Sequence, residues 1–199
     1  MYQSKIEICF ALRIKVNLMT NINQTIIMQT FKICIIGGPQ TGKTTFIQRF
    51  TTGQFENLYI PTVGVKVGQI NFQSNLGTYL LNIWDIAGEQ KIEAVRDGYF
   101  HGADAAIAFY TSGNIEETNK LVADFGNICP NAPIINVWNK SDLRDEWNFV
   151  EQTFINNSNT IKQGNRLTYQ VSAKSNYNFE KPYLALLRIL MDNPQLSIR

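Results

Sequence analysis

Residues 37–44 read Gly37-Gly38-Pro39-Gln40-Thr41-Gly42-Lys43-Thr44, set between the apolar run Phe31 to Ile36 and the helix-like stretch Thr44-Thr45-Phe46-Ile47-Gln48-Arg49-Phe50. A buried strand, a glycine loop and a helix start in that order form a phosphate cradle. Glycines let the backbone curl so that its N–H groups point inward at phosphate oxygens, Lys43 adds a positive charge, and the Thr44 hydroxyl can ligate a nucleotide's Mg²⁺. A purely structural glycine turn would rarely carry Gly-Lys-Thr in register behind an apolar strand.

Three further motifs follow in order. Asp85 closes the run TYLLNIW and opens Ile86-Ala87-Gly88, which places a carboxylate at a strand end, where it can hold a metal-bound water. Gly88 can then bring its N–H to a terminal phosphate. Asn139-Lys140-Ser141-Asp142 follows the run Ile134 to Trp138, and a carboxylate at Asp142 suits the N1–H and 2-amino edge of guanine. Adenine presents an acceptor at N1 and would be repelled. Ser172-Ala173-Lys174 ends the segment RLTYQV and is placed to offer a backbone N–H to the guanine oxygen. Each motif alone is weak; four in sequence specify a guanine-nucleotide site.

The chain of 199 residues is long enough for one domain with a full core, and 44% hydrophobic with 17% charged residues is the composition of an ordinary globule. Cys9, Cys34 and Cys129 are an odd number without metal or redox spacing, so reduced thiols in an intracellular protein are expected. The single histidine, His101, excludes a histidine-rich metal centre and reads as a surface or turn residue. The formal charge is +2, and Lys5, Arg13 and Lys15 against Glu7 account for it, leaving the rest of the chain balanced. No basic stripe marks a nucleic-acid face, and no apolar run reaches the length of a membrane span.

The first thirty residues read differently from the rest. Ile6, Ile8, Phe10, Leu12, Ile14, Val16 and Leu18 fall on every second position, the pattern of a half-buried strand. Arg13 and Lys15 interrupt any signal-peptide core. This segment is either a dispensable extension, with Met28 as an internal start, or a strand added to a sheet edge. From Phe31 onward strands are expected near 31–37, 65–72, 78–84, 104–111, 134–139 and 166–172, and helices near 43–52, 91–100, 114–128, 146–157 and 179–192. Asn75-Leu76-Gly77 joins the second and third strands as a hairpin. The expected fold is an α/β P-loop NTPase: a six-stranded mostly parallel sheet with one antiparallel edge strand and helices on both faces. Asn178 is expected to cap the last helix, with Pro182 in its first turn and Pro194 beyond its end. The domain would cover 31–192, followed by a short tail over 193–199.

With these motifs placed, the chain resembles the small GTPases, and among them the Ran nuclear-transport GTPases most closely. The resemblance spans roughly residues 31–192 through GGPQTGKT, Pro61-Thr62-Val63-Gly64-Val65, WDIAG, NKSD and SAK. Its Ran-like features are Arg96-Asp97-Gly98-Tyr99-Phe100 and the string SAKSNYNFEKPY across 172–183. The resemblance implies GTP/GDP and Mg²⁺ as ligands. Nucleotide contacts are expected from Gly38, Gln40, Thr41, Gly42, Lys43, Thr44 and Thr45 on the first loop, and from Phe55, Thr62 and Gly88 near the switches. Asn139, Lys140 and Asp142 with Ser172, Ala173 and Lys174 are expected around the base. Thr44, Thr62 and Asp85 would serve Mg²⁺, while Lys43, Thr62, Glu89 and Gln90 would surround the hydrolysed bond. Segments near 55–65 and 86–100 would be switches, ordered by the terminal phosphate and released when it leaves. The partners implied are an exchange factor, a GTPase-activating protein and nuclear transport receptors of importin and exportin type. A monomer in nucleus and cytoplasm, without direct nucleic-acid contact, is expected. With no cysteine after Cys129, no prenyl membrane anchor is expected.

The sequence also departs from the family. After Asp-x-Ala-Gly the family places Gln, which orients the attacking water, then Glu; here Glu89 precedes Gln90. An ionised Glu89 at about 4 Å from a phosphate charge, with an effective dielectric near 20, costs roughly 4 kcal/mol. Pro39 stands where the family usually has Gly, which removes one loop N–H and crowds any inserted arginine. The acidic tail of Ran proteins is missing, IKQGNRLTYQ and LRDEWNFVEQ hold few basic residues, and Ile92 replaces an expected exposed aromatic. Slow hydrolysis is therefore expected. A GTP-locked binding module and a non-lipidated vesicle-traffic switch are the alternatives.

Overall fold

The apolar run before the glycine loop forms the central strand of a six-stranded sheet. The computed structural model describes residues 29–53, 62–74, 77–88, 93–143 and 167–192. Strands are β1 (Gln29–Ile36), β2 (Val65–Ser74), β3 (Gly77–Ile86), β4 (Ala105–Tyr110), β5 (Ile134–Trp138) and β6 (Thr168–Gln170). The helices among the described residues are α1 (Lys43–Thr52), α2 (Glu93–Phe100), α3 (Ile115–Ile128) and α4 (Lys181–Leu190). The expected helix near 146–157 and the alternating N-terminal segment lie outside the described residues.

Strand order is β2-β3-β1-β4-β5-β6. β2 pairs antiparallel with β3, from Val65 opposite Ile86 to Ser74 opposite Gly77, and the other pairings are parallel. The sheet therefore has one antiparallel edge strand, as expected. β4 and the second half of β1, Ile33 to Ile36, are buried on both faces, which is why they read as unbroken apolar runs rather than alternating ones.

Successive β1 residues feed opposite layers. Ile33 and Ile35 join Phe46 of α1 and Tyr183, Leu186 and Leu187 of α4, while Cys34 and Ile36 join Phe100 of α2 and Val122 and Phe125 of α3. Burying each Ile, Leu, Val or Phe side chain among these stabilises the fold by about 1.5–3 kcal/mol. Alternation along one strand thus fastens helices to both faces and leaves the carboxyl ends of the parallel strands open for ligands. Cys34 is buried and unbridged, and burial pushes its thiol up to about 12; Cys129 is also a free thiol. His101 is an exposed turn residue, as expected.

Two details differ from expectation. β6 has three residues instead of seven, and α4 begins at Lys181 with Glu180 at its cap position rather than Asn178. Asn178 has a left-handed backbone, φ 52°, and its side-chain amide donates to the Gln170 carbonyl at 3.0 Å. It ties the turn to β6, and its left-handed backbone is not the extended one that an N-cap residue adopts. Pro182 does occupy the first turn of α4.

Tyr183 is fully buried among Phe46, Phe50 and Phe72, with ring centroids 5.9, 4.5 and 6.2 Å away. Its phenol oxygen is buried with no hydrogen-bond partner, and burial pushes the phenol's pKa up. An unmet buried hydroxyl costs about 1–3 kcal/mol. Tyr183→Phe keeps the ring contacts and is expected to raise stability by about 1 kcal/mol in urea unfolding. A loss of stability would show that the hydroxyl has a favourable partner.

Candidate functional site

The expected loops gather at the carboxyl ends of β1, β3, β5 and β6. β1 ends at Ile36, the glycine loop follows, and α1 starts at Lys43. Gly42 occupies the cap position of α1 without a side-chain cap, and the first turn holds no acidic residue. That leaves the helix's first amides and the positive end of its dipole facing the loop, the arrangement that receives phosphate.

Lys43 is the buried cation of the site. Its Nζ donates to Gly37 O and Gly38 O, both at 2.8 Å, and lies 3.4 Å from Thr41 Oγ1. Burial lowers its pKa to about 8, against the opposing fields of Asp85 and Glu117. An ammonium held by carbonyls, with no carboxylate in direct contact among the described residues, keeps its charge for an anionic ligand.

Thr44, Thr62 and Asp85 meet although they come from α1, the approach to β2, and β3. Thr44 Oγ1 donates to Asp85 Oδ2 at 2.5 Å and lies 2.8 Å from Thr62 Oγ1. Asp85 is buried, and its Oδ1 has no hydrogen-bond partner. Burial raises its pKa, offset by the Thr44 bond and the charges of Lys43 and Lys66. Two hydroxyls and a carboxylate with an unmet oxygen form a hard, all-oxygen donor set that fits Mg²⁺, an ion that keeps waters and takes few protein ligands. Among the described residues no cluster of three His, Cys, Asp or Glu competes for a metal. Gly88 closes this side: a Cβ there would lie 2.5 Å from Pro39 N and 2.6 Å from Gly38 C, so only glycine allows this approach to the loop.

Asn139 joins the two halves of the site. Its Nδ2 donates to Thr41 O at 2.9 Å, and its Oδ1 accepts from Ala173 N at 3.3 Å. The turn after it is held by Lys140 in a left-handed conformation, φ 62°, and by Ser141, whose hydroxyl donates to Val171 O at 2.8 Å. Ser172 donates to Asp142 Oδ1 at 2.6 Å, which orients a carboxylate on an exposed residue. The Ser172 hydroxyl thus positions Asp142. Lys174 is exposed on the following turn, Gln40 is exposed on the glycine loop, and Thr45 is half-buried in α1. Phe55, Glu89, Gln90 and Ile92 lie outside the described residues.

One buried contact has no counterpart in the motifs. Gly38 N donates to Thr118 Oγ1 at 3.0 Å, and that hydroxyl donates to Phe109 O at 3.1 Å. Thr118 shares the inward stripe of α3 with Leu121, Val122 and Phe125. A hydroxyl in the first turn of an otherwise apolar stripe was the available signal.

Against this geometry, a family model for the Ras family matches residues 32–192. The chain belongs to the Ras family. Its Ras-family domain is that of a GTP-binding molecular switch with GTPase activity. Ras-family proteins bind GTP and GDP with Mg²⁺ and work with exchange factors and GTPase-activating proteins.

Proposed function

We propose that this chain is a guanine-nucleotide switch of Ran type, acting between nucleus and cytoplasm, that binds GTP and GDP tightly and hydrolyses GTP slowly. The meeting of Thr44, Thr62 and Asp85 beside the buried Lys43 is the observation that carries the switch chemistry. Thr62 would sense the terminal phosphate, because it stands at the edge of a segment that the triphosphate can order. When bound, Mg²⁺ supplies charge neutralisation across the terminal phosphates. Lys43 and the loop amides stabilise negative charge on the transferring phosphoryl group as it passes to water. Asn139 holds the base loop against the phosphate loop, and Asp142 with Ala173 selects guanine.

The Ran assignment rests on Arg96-Asp97-Gly98-Tyr99-Phe100 and on the string over 172–183. Within that string Phe179 and Tyr183 are core residues, while Lys174, Ser175, Asn176 and Tyr177 are exposed. The expected partners are an exchange factor, an activating protein and transport receptors of importin and exportin type. Purified GTP-loaded protein should retain such receptors and release them when loaded with GDP. Retention of membrane-tether proteins instead would favour a vesicle-traffic switch.

Glu89 and Pro39 are the basis for slow turnover, and they also support a GTP-locked module as the second reading. Glu89→Gln removes a like charge and restores an amide donor. Recovering one third of the roughly 4 kcal/mol repulsion is worth about tenfold in rate. Single-turnover hydrolysis should therefore accelerate at least about tenfold in the variant. A wild-type rate already normal for the family and unchanged by Glu89→Gln would refute the assigned cause.

A further inference from the structure

Thr118 lies outside every nucleotide motif, yet it is fully buried against the loop that carries Lys43. The peptide group between Gly37 and Gly38 is gripped at both ends. Its carbonyl, Gly37 O, accepts from Lys43 Nζ at 2.8 Å, and its N–H, on Gly38, donates to Thr118 Oγ1 at 3.0 Å. The peptide is trans, so these two bonds point in opposite directions within one plane. The Thr118 hydroxyl hydrogen is committed to Phe109 O at 3.1 Å, which leaves its lone pairs directed to Gly38. Helix α3 and strand β4 therefore fix the orientation of a carbonyl that holds the site's buried ammonium.

We propose that Thr118 is a positioning residue for Lys43, acting through the Gly37–Gly38 peptide plane; the inference rests on the guanine-nucleotide reading above. Without the hydroxyl, the Gly38 N–H would be buried with no acceptor, and the peptide would gain by rotating. The plane turns about ψ of Gly37 and φ of Gly38, and both residues are glycines with no Cβ to restrict those angles. Rotation carries the carbonyl away from Lys43 and turns a donor toward the ammonium. A lysine displaced in this way loses its grip on the β- and γ-phosphates while the base contacts of Asn139 and Asp142 stay in place.

The test compares guanosine diphosphate with guanosine monophosphate, which lacks the phosphates that Lys43 reaches. Thr118→Val should lower the affinity for the diphosphate about tenfold, the worth of one hydrogen bond that orients a charged group. Its affinity for the monophosphate should change less than twofold, and Thr118→Ser, which keeps the hydroxyl, should match the wild type on both ligands. If Thr118→Val does not unfold cooperatively, Thr118→Ala is measured in its place with the same expectation. An unchanged diphosphate affinity in the folded variant, or an equal loss for both ligands, would overturn the proposal. Failure of the wild-type protein itself to bind the diphosphate would instead remove the nucleotide reading on which the proposal rests.

Discussion

Asn139→Ala is expected to lower the affinity for GDP and GTP about a hundredfold and to weaken the fold at the same time. The side chain is 2% exposed, and its two bonds, to Thr41 O at 2.9 Å and from Ala173 N at 3.3 Å, connect the phosphate loop to the turn after β6. Each buried group left without a partner costs about 1–3 kcal/mol, so losing both ends of the amide removes roughly 2–6 kcal/mol. Part of that loss appears in the nucleotide-free protein, because Thr41 O and Ala173 N are orphaned with or without ligand. The rest appears as affinity, because base and phosphate are no longer held at a fixed separation. Urea unfolding with and without GDP separates the two contributions. A variant with native affinity would show that the two loops do not need this amide.

Lys43→Met is expected to act in opposite directions on binding and on stability. A unit charge about 4 Å from a phosphate oxygen at an effective dielectric near 20 is worth roughly 4 kcal/mol, or about a thousandfold in affinity. In the nucleotide-free protein the same ammonium is a buried charge held only by neutral oxygens, and burial works against its charged form. Methionine fills a similar volume without that cost. The melting temperature of the nucleotide-free variant should therefore equal or exceed that of the wild type, while nucleotide no longer raises it. A joint loss of both properties would show that Lys43 holds the loop together rather than the ligand.

The layered core was readable because its signals are local. Apolar runs marked β4 and β5, and the hairpin expected at Asn75-Leu76-Gly77 agrees with Ser74 and Gly77 facing each other across the antiparallel pair. Alternating burial along β1 then follows from helices covering both faces. The Asn178 reading failed because the residue takes a left-handed backbone, φ 52°, with its side chain turned to a carbonyl eight residues back in β6. That conformation depends on where the turn folds in space, which helix-start rules do not contain.

The site shows the same division. Thr44 and Asp85 were legible by residue type and motif order and Thr62 through the family resemblance, and the fold brings all three together. The bond from the Ser172 hydroxyl to Asp142 was not legible, because it depends on how two loops 30 residues apart pack together. Thr118 was missed because its role depends on β4 and the glycine loop lying side by side, 80 residues apart in sequence from Gly38. Groups that touch ligand tend to sit in recurring spacings, whereas groups that orient them are recruited from whichever element packs behind.

Isothermal titration of the purified protein with guanosine and adenosine nucleotides tests the central claim most directly. Saturable, Mg²⁺-dependent binding of GDP and GTP, with at least a hundredfold weaker heat signal affinity for ADP and ATP, is the result required by a buried lysine and loop amides coupled through Asn139 to Asp142; about 2.7 kcal/mol of base discrimination corresponds to that ratio. Equal affinity for both purines, or no binding of either, would contradict it.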